Sequence, residues 1–399
     1  MTGAAPAGIG PGATVGFVGL GKMGAPMATR LAEAGYQVQG YDVSEAAATI
    51  WAERAGACPA VSLSAAAAGA ACVILMLPDS AVVRRVVAGL LPAVAPGTVI
   101  VDMSSSEPVV TRELAAEAAG AGVTLVDAPV SGGVAGAVSG RLTIMAGGAP
   151  GDLQRVRPLL DVLGARVVPV GDVGAGHAVK ALNNLLSATH LLATCEAMAA
   201  AGGFGLDIPT VLDAINSSSG RSGSTENKWP DFIVPRTFDS GFSLRLMLKD
   251  MRIALGLIAS AGTPSALSAL AADQWAQAAE ALPADADHTE IARWLDTLSS
   301  HAPRPATRAP GLVRRRPGLA AAGCGSPASS PGTPCPPVPP RSSALPPGFH
   351  GVRHLTSPQP APGFHGVRHL TSAGSPVSRR PAPHLSRLPG FTASRTSPQ

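Results

Sequence analysis

Cysteine is scarce in this sequence of 399 residues, and its distribution argues against a covalent or metal-based scaffold. The five cysteines are an odd number and include no C-x-x-C pair, which disfavours a disulfide framework and a structural zinc site. The first twelve residues, MTGAAPAGIGPG, lack the charged and apolar segments of a signal peptide, and we expect them to be a flexible leader. These absences predict a protein of a reducing compartment, which we take to be the cytoplasm.

Lysine and acidic residues are missing from one end of the chain. From His301 onward there are 12 of the 30 basic residues, all arginine, and no acid, so the first 300 residues keep 18 basic and 26 acidic side chains. The positive formal charge therefore belongs to the tail and does not indicate a nucleic-acid-binding body. The tail also holds 21 of the 38 prolines and repeats PGFHGVRHLTS at 347–357 and 362–372. Residues 300–399 are predicted to form a disordered Pro/Arg-rich tail.

Long uninterrupted apolar runs are absent as well. The most apolar long stretch, Leu185–Leu206, contains His190, Glu196 and several glycines. This composition favours a buried core helix over a membrane span. We therefore expect no membrane contact.

A strand, a glycine-rich loop and a helix open the ordered part of the sequence. The apolar run Val15–Leu20 leads into a helical pattern through a loop that fits G-x-G-x-x-G, and a second strand, Gln37–Tyr41, ends in Asp42. Such glycines allow a tight turn, close approach of a pyrophosphate, and close packing of helix on strand, with the helix N-terminus facing the phosphates. Asp42 is expected to bind a ribose 2′-OH and to repel a 2′-phosphate, which favours NAD over NADP. The loop residues are Gly19, Leu20, Gly21, Lys22, Met23 and Gly24.

Strands and helices alternate up to about residue 171, which predicts a mostly parallel sheet. Further strands are predicted at Cys72–Leu77, Thr98–Asp102 and Val123–Val126. Ligand-binding residues are expected where such strands end at their carboxyl edge. The residues at these ends are Leu77, Pro78, Ser105, Ser131, Gly132 and Gly133.

One long helical pattern follows, from Gly176 to about Gly202, and only helices are predicted beyond it. A sheet domain joined by a long helix to an all-helical domain leaves a cleft between the two. The motif Gly174-x-Gly176-x-x-x-Lys180-x-x-Asn183-Asn184 places Lys180 and Asn184 on one face of that helix.

Four motifs in order carry a family resemblance. They are GLGKMGAPMATRLAEAG at the glycine loop, DAPVSGG from Asp127, GAGHAVKALNN from Gly174 and LKDMRIA from Leu248. Over residues 13–299 the sequence resembles the 3-hydroxyisobutyrate, or β-hydroxyacid, dehydrogenase family of the 6-phosphogluconate dehydrogenase-like superfamily. The resemblance implies an α/β fold: a Rossmann-type NAD-binding domain (13–173), a long interdomain helix and an all-helical domain for substrate binding and dimerisation (174–299).

The resemblance also implies a reaction and a site. The reaction is the NAD(P)-dependent interconversion of a small β-hydroxy acid and its semialdehyde or keto form, by a homodimer or homotetramer. Lys180 would be the general acid/base, and Asn184 would orient the hydroxyl-bearing end, with Asp250 near the lysine. The substrate carboxylate would be held by Ser131, Gly132 and Gly133. The cofactor site would include Gly19, Leu20, Gly21, Lys22, Met23, Gly24, Asp42, Leu77, Pro78, Ser105 and Lys249, with Phe242 as a wall of the cleft.

Other interpretations of these residues stay open in the sequence. Lys180 could be a surface lysine whose aliphatic part packs on the protein. Ser131-Gly132-Gly133 could be a plain turn, and Asp250 could pair with Arg245 or Arg252.

Two histidines and one polar stretch have an interpretation of their own. His177 and His190 are expected to be structural rather than catalytic. The stretch Ser217–Trp229 is expected to contact the variable end of the substrate, with Arg221 as a candidate.

Two alternative functions compete with this assignment. One is a related reductase of tartronate semialdehyde, succinic semialdehyde or an imine, of which the imine type usually lacks a lysine such as Lys180. The other is a non-catalytic binding protein whose basic tail contacts acidic partners. The tail has few aromatics and no RNA-binding motif, so nucleic acid is not expected as a partner.

Overall fold

The computed structural model describes residues 7–55, 57 and 59–301, without the side chains of 299–301. Cys58, Cys324 and Cys335 lie outside the described residues, as do positions 1–6 of the predicted leader. The predicted disordered tail, 300–399, falls outside them except for residues 300 and 301, which belong to the last described helix rather than to the tail.

A sheet of eight strands forms the N-terminal part of the described chain. Their order across the sheet is second, first, third, fourth, fifth, seventh and sixth, with the eighth paired to the seventh. The first five strands are parallel to one another, whereas the seventh runs antiparallel to the fifth and sixth and parallel to the eighth. The strands are β1 (Thr14–Val18), β2 (Gln37–Tyr41), β3 (Cys72–Leu75), β4 (Val99–Asp102), β5 (Thr124–Asp127), β6 (Val130–Ser131), β7 (Leu142–Gly147) and β8 (Gly164–Gly171). The predicted, mostly parallel sheet is confirmed. The antiparallel pairs of β7 with β5 and β6 were not predicted.

Helices cover both faces of this sheet. They are α1 (Gly24–Glu33), α2 (Glu45–Ala55), α3 (Leu63–Ala67), α4 (Ser80–Leu90), α5 (Pro108–Gly120), α6 (Gly133–Ser139) and α7 (Pro150–Leu163). Successive strand side chains point to opposite faces, so Ile74 of β3 packs in the core with α1 and α7, while Val73 and Leu75 pack in the core with α4 and α5. Every residue of β3 and β4 is buried, which explains their continuous apolar sequences.

The rest of the described chain is helical. Its helices are α8 (Ala175–Phe204), α9 (Ile208–Asn216), a π-helix (Ser224–Ile233), α10 (Leu244–Ser260), α11 (Ala266–Ala281), a 3-10 turn (His288–Glu290) and α12 (Ile291–His301). They enclose a third core that includes Leu185 of α8, Met251 of α10 and Trp275 of α11. The α/β fold with a helical C-terminal part is therefore as predicted, whereas the sequence analysis does not predict the π-helix. Within residues 7–55, 57 and 59–301, no helix combines the length and apolarity needed to cross a membrane.

The strand register brings the carboxyl ends of the central strands together. Leu75 of β3 pairs with Asp102 of β4, which pairs with Asp127 of β5. The loops that follow these three strands therefore start side by side at one edge of the sheet, where ligands bind in parallel α/β sheets.

Candidate active site

The glycine loop between β1 and α1 has the shape that a dinucleotide phosphate requires. Gly19 adopts a φ of 99°, and a Cβ on Gly24 would overlap the Gly19 carbonyl oxygen, so both positions need glycine. Above Gly21 the space is open, because no atom lies within 4 Å of the place of a Cβ. The first turn of α1 has no side-chain cap and no acidic residue. Its Ala25 N–H donates to the Gly21 carbonyl oxygen and Pro26 has no N–H, so what this helix start offers an anion is mainly the positive end of its dipole. These residues fit a nicotinamide dinucleotide.

Asp42, directly after β2, is tied to this loop. One carboxylate oxygen accepts a hydrogen bond from the Leu20 N–H at 2.7 Å, and the other accepts one from the Ser44 N–H at 2.8 Å. Each oxygen has a further lone pair, so a ribose hydroxyl can still be bound. Asp42 thus fixes the shape of the glycine loop in addition to placing a negative charge next to it. This structural role was not predicted from the sequence.

Lys249 of α10 joins the loops that follow β3 and β4. Its ammonium donates to the carbonyl oxygens of Pro78 at 2.9 Å and Ser105 at 2.7 Å. The Leu77 N–H donates to the Ser104 hydroxyl at 2.9 Å, which links the same two loops. Four predicted cofactor residues, at positions 77, 78, 105 and 249, are therefore brought together.

The predicted carboxylate-binding loop lies between β6 and α6. Gly132 and Gly133 have φ values of 127° and 61°, which a residue with a side chain rarely adopts. Ser131 ends β6 and is partly exposed. A Cβ on Gly133 would have the Ser240 carbonyl oxygen as its nearest atom, at 4.0 Å, so this loop faces the helical part of the chain.

Asp127, at the end of β5, holds the start of α8. Its two carboxylate oxygens accept hydrogen bonds from the N–H groups of Gly174, at 2.6 Å, and His177, at 2.8 Å. Burial raises the pKa of Asp127 above its ordinary value, against the opposing effects of His177 and the two N–H groups. Asp127 belongs to the motif DAPVSGG, but the motif alone predicts no role for it. A strand that ends in a buried acid, followed by an uncapped Gly-x-Gly helix start, is the signal that could have found it.

His177 is fully enclosed next to this anchor. Its Nδ1 lies 2.8 Å from the Thr111 hydroxyl, and its Nε2 lies 3.1 Å from the Ser104 carbonyl oxygen and so donates to it. The carboxylates of Asp102 and Asp127 lie 3.7 Å from the ring nitrogens. These contacts agree with a structural role for the histidine.

Lys180 follows on the next part of α8 and is only 8% exposed, so its interpretation as a surface lysine is wrong. Within the part of the chain that the structure describes, its ammonium has no hydrogen bond or ion pair. Burial lowers the pKa of Lys180 from its ordinary 10.5, Asp250 opposes this effect, and Lys249 adds to it. An enclosed amine with a lowered pKa gives up its proton more readily than a free lysine, which suits a residue that transfers protons.

Asn184 lies one turn after this lysine and reaches Asp250 of α10. The Asn184 amide donates to one oxygen of Asp250 at 2.6 Å, and the other oxygen lies 3.4 Å from the Lys249 ammonium. Asp250 therefore pairs with Asn184 and Lys249 rather than with Arg245 or Arg252. The predicted residues at positions 180, 184, 249 and 250 form one cluster.

Phe242 lies just before α10 and packs within the helical part. Its ring meets the His288 ring edge-on, with centroids 5.8 Å apart. Its N–H donates to the Asp287 carboxylate at 3.2 Å, which also accepts the Ser240 hydroxyl at 2.8 Å. Phe242 is thus fixed next to the segment that faces the carboxylate-binding loop.

The stretch expected to contact the variable substrate end runs into the π-helix. Arg221 is exposed and pairs with Glu226 at 3.5 Å. Among the described residues it has no hydrogen bond or ion pair to a predicted site residue outside its own stretch, so it is no longer a candidate for substrate binding. The cation that reaches α8 is Lys228, whose ammonium donates to the Ser187 hydroxyl at 2.7 Å. Sequence reasoning missed it, because a lysine in a polar stretch carries no sign of where it folds.

The cysteines of the described chain do not form a reactive or metal-binding site. Cys72 and Cys195 are free and buried. Burial raises the pKa of each thiol to about 12, so neither is a thiolate at neutral pH. No three His, Cys, Asp or Glu side chains among residues 7–55, 57 and 59–301 are grouped closely enough to bind a metal ion.

Two family models match the two parts of the chain. The model described as the NAD binding domain of 6-phosphogluconate dehydrogenase matches residues 14–171. The model described as NAD-binding of NADP-dependent 3-hydroxyisobutyrate dehydrogenase matches residues 174–295.

Individual proteins are similar over nearly the same region. The 2-(hydroxymethyl)glutarate dehydrogenase of Eubacterium barkeri is 40% identical over 64% of this chain and 86% of its own length. The NAD-dependent L-serine dehydrogenase of Pseudomonas aeruginosa is 39% identical over 64% of this chain and 87% of its own. The solved structure of a Mycobacterium tuberculosis 3-hydroxyisobutyrate dehydrogenase with L-serine is 36% identical, with a TM-score of 0.67 over 71% of this chain and 99% of that one.

Proposed function

Because this chain belongs to the 3-hydroxyisobutyrate dehydrogenase family of the 6-phosphogluconate dehydrogenase-like superfamily, we propose that it is an NAD(P)-dependent dehydrogenase of small 3-hydroxy acids. The three proteins compared above are named for, or contain, 3-hydroxyisobutyrate, L-serine and 2-(hydroxymethyl)glutarate. These compounds share one skeleton, HOCH2–CH(R)–COO−, in which R is methyl, ammonium or carboxyethyl. The proposed reaction oxidises the primary alcohol to an aldehyde and leaves the carboxylate intact.

The observation that carries this proposal is the enclosed, unpaired amine of Lys180. A nicotinamide held in the cofactor site would supply the hydride acceptor for the alcohol carbon. In its neutral form, which the lowered pKa favours, Lys180 takes the hydroxyl proton. In the reverse direction the protonated lysine donates that proton to the oxygen. The negative charge of Asp250 stabilises the protonated form of Lys180 in the buried site and thereby raises the pKa of Lys180, against the effect of burial.

Substrate binding is assigned to the residues around this amine. We propose that Ser131, Gly132 and Gly133 bind the carboxylate with backbone N–H groups and one hydroxyl. The Asn184 amide already donates to Asp250, which fixes its orientation and leaves its second N–H for the substrate oxygen. In this assignment a 3-hydroxy acid presents its carboxylate to the loop and its hydroxyl, on the β carbon, to Lys180 and Asn184.

Cofactor binding is assigned to the glycine loop and the three strand ends. We propose that α1 and its loop bind the pyrophosphate, and that Asp42 binds the adenosine ribose and selects NAD over NADP. Lys249 holds the loops after β3 and β4 in place from the helical side. The rest of the cofactor site is assigned to Leu20, Lys22, Met23, Leu77, Pro78, Ser105 and Phe242.

A homodimer or homotetramer is also proposed, assembled through the helical part. Two leucines of α8, Leu182 and Leu186, and two of α11, Leu267 and Leu270, are exposed on the surface of the protein. Exposed leucines at helical spacing suit contact with a second copy. Light scattering on the eluted protein tests this, and a monomer at micromolar concentration would exclude it.

The test of the function is an initial-rate screen. The purified chain is assayed with NAD and with NADP against 3-hydroxyisobutyrate, serine, 2-(hydroxymethyl)glutarate, glycerate, 4-hydroxybutyrate and threonate. We expect NAD-dependent turnover of at least one 2-substituted 3-hydroxypropionate and little turnover of 4-hydroxybutyrate. Inactivity on every 3-hydroxy acid with both cofactors would contradict the assignment.

A further inference from the structure

A polar stripe runs along one face of α8 from the proposed acid/base. Lys180, Asn184 and Ser187 share this face, because they are separated by four and three residues. Ser187 lies two turns beyond Lys180, about 10 Å along the helix axis. The ammonium of Lys228, from the π-helix, lies 2.7 Å from the Ser187 hydroxyl and thus ends the stripe with a second cation.

Lys228 is mostly enclosed and lacks a counter-ion. Among the described residues no carboxylate lies within ion-pair distance of its ammonium, and its one hydrogen bond goes to a neutral hydroxyl. Burial is the main cause that lowers the pKa of Lys228 to about 8, and the charge of Lys180 lowers it further against the effect of Asp287. An enclosed cation without a counter-ion costs stability, so a purely structural lysine at this place is disfavoured.

We propose that Lys228 determines specificity by binding an anionic group at the far end of the substituent R, in a substrate whose alcohol lies at Lys180. This inference rests on the proposed function. It identifies the preferred substrates as hydroxy dicarboxylates, above analogues in which R is neutral or cationic.

The dimensions of such a substrate match the stripe. From the alcohol oxygen to a distal carboxylate oxygen of a carboxyethyl compound there are six bonds, which span about 7.5 Å when extended. A hydrogen bond of about 2.8 Å at each end gives a maximum reach of about 13 Å. This reach covers the two helical turns, about 10 Å, that separate Lys180 from Ser187. A methyl substituent is too short to reach Lys228, and an ammonium substituent is repelled by it.

The experiment compares two substrates in three variants. The values of kcat and KM are measured for 2-(hydroxymethyl)glutarate and 3-hydroxyisobutyrate with the parent, Lys228→Met, Lys228→Arg and Arg221→Met. We expect the parent to prefer the dicarboxylate and Lys228→Met to lower its kcat/KM by about 10- to 100-fold, mainly through KM. Turnover of 3-hydroxyisobutyrate should change less than about threefold. Lys228→Arg should restore the preference in part, and Arg221→Met, which removes an exposed cation of the same stretch, should leave both substrates unchanged.

The ratio of kcat/KM for 2-(hydroxymethyl)glutarate to kcat/KM for 3-hydroxyisobutyrate distinguishes a substrate-binding role of Lys228 from a structural one. A variant that folds poorly loses both activities together, whereas loss of a binding group affects the dicarboxylate alone. Equal losses on both substrates, or none, would overturn the role of Lys228 while the parent's activity leaves the proposed function standing. A parent inactive on both substrates and on serine would overturn the function and this inference with it.

Discussion

Replacing Asp127 by asparagine removes a negative charge from a fully buried position and keeps the shape of the side chain. In the parent, the two oxygens accept hydrogen bonds from Gly174 and His177 at 2.6 and 2.8 Å. An asparagine oxygen can accept one of these bonds, but its NH2 group then points at the other N–H, so that a donor faces a donor.

The expected change in the free energy of unfolding follows mainly from these two hydrogen bonds. A hydrogen bond to a charged group contributes about 1.5–3 kcal/mol and a neutral one about 1 kcal/mol, so one bond is lost and the other is weakened. The positive end of the α8 dipole also loses its anion, which costs up to about 2 kcal/mol in a buried geometry. Burial raises the pKa of Asp127, so removal of the charge recovers part of the desolvation cost. We expect the free energy of unfolding to fall by about 2–4 kcal/mol.

The assay is urea unfolding at pH 7, followed by far-ultraviolet circular dichroism. The matched control is Asp207→Asn, because Asp207 also caps a helix and accepts the Thr210 N–H at 3.1 Å, but in an exposed position. The Asp207→Asn variant should change the urea concentration at the unfolding midpoint only slightly. Since α8 carries Lys180, the Asp127 variant should also lose turnover at temperatures where it is folded. If both variants unfolded at the parent's urea concentration, Asp127 would not be the anchor of α8.

Three further predictions concern the proposed site. The rate of alcohol oxidation should rise with pH through the lowered pKa of Lys180, below 10.5, and aldehyde reduction should fall over the same range; flat profiles would exclude this titration. Over that range Lys180 binds more protons in the unfolded chain than in the folded one. The contribution of Lys180 to the free energy of unfolding should therefore rise with pH as part of the same titration. Lys249→Met removes the bonds to Pro78 and Ser105 and should weaken NADH binding about tenfold by fluorescence titration; unchanged binding would refute that role. Asp42→Asn should raise the NADP to NAD ratio of kcat/KM about tenfold, and an unchanged ratio would remove Asp42 from cofactor choice.

Family, fold and much of the local structure could be predicted from the sequence. The strand Gln37–Tyr41 is observed with the predicted bounds. Hydrophobic period and glycine spacing are local properties, so they identify strands, helices and the loop between β1 and α1. The preference for NAD, the oligomeric state, the domain boundaries and the compartment stay predictions.

The contacts between distant segments could not be predicted in the same way. Asp127 ends a strand, and nothing local shows that it binds the N–H groups of residues 47 and 50 positions later. Lys249 likewise bonds to carbonyl oxygens that any residue type could supply. Lys228 and Ser187 are 41 positions apart, and the π-helix that brings them together has no simple apolar period. Side chains whose role depends on tertiary distance are therefore found only in the fold.

The central claim is that Lys180 transfers the proton of the reacting hydroxyl. The most direct measurement is the steady-state oxidation of 3-hydroxyisobutyrate by Lys180→Ala, with and without added primary alkylamines, alongside NADH binding by fluorescence. We predict a loss in kcat of about 10²–10⁴-fold, unchanged NADH affinity, and partial recovery of kcat that grows with the concentration of the neutral amine. Parent-like turnover by Lys180→Ala, with the cofactor bound normally, would contradict the account.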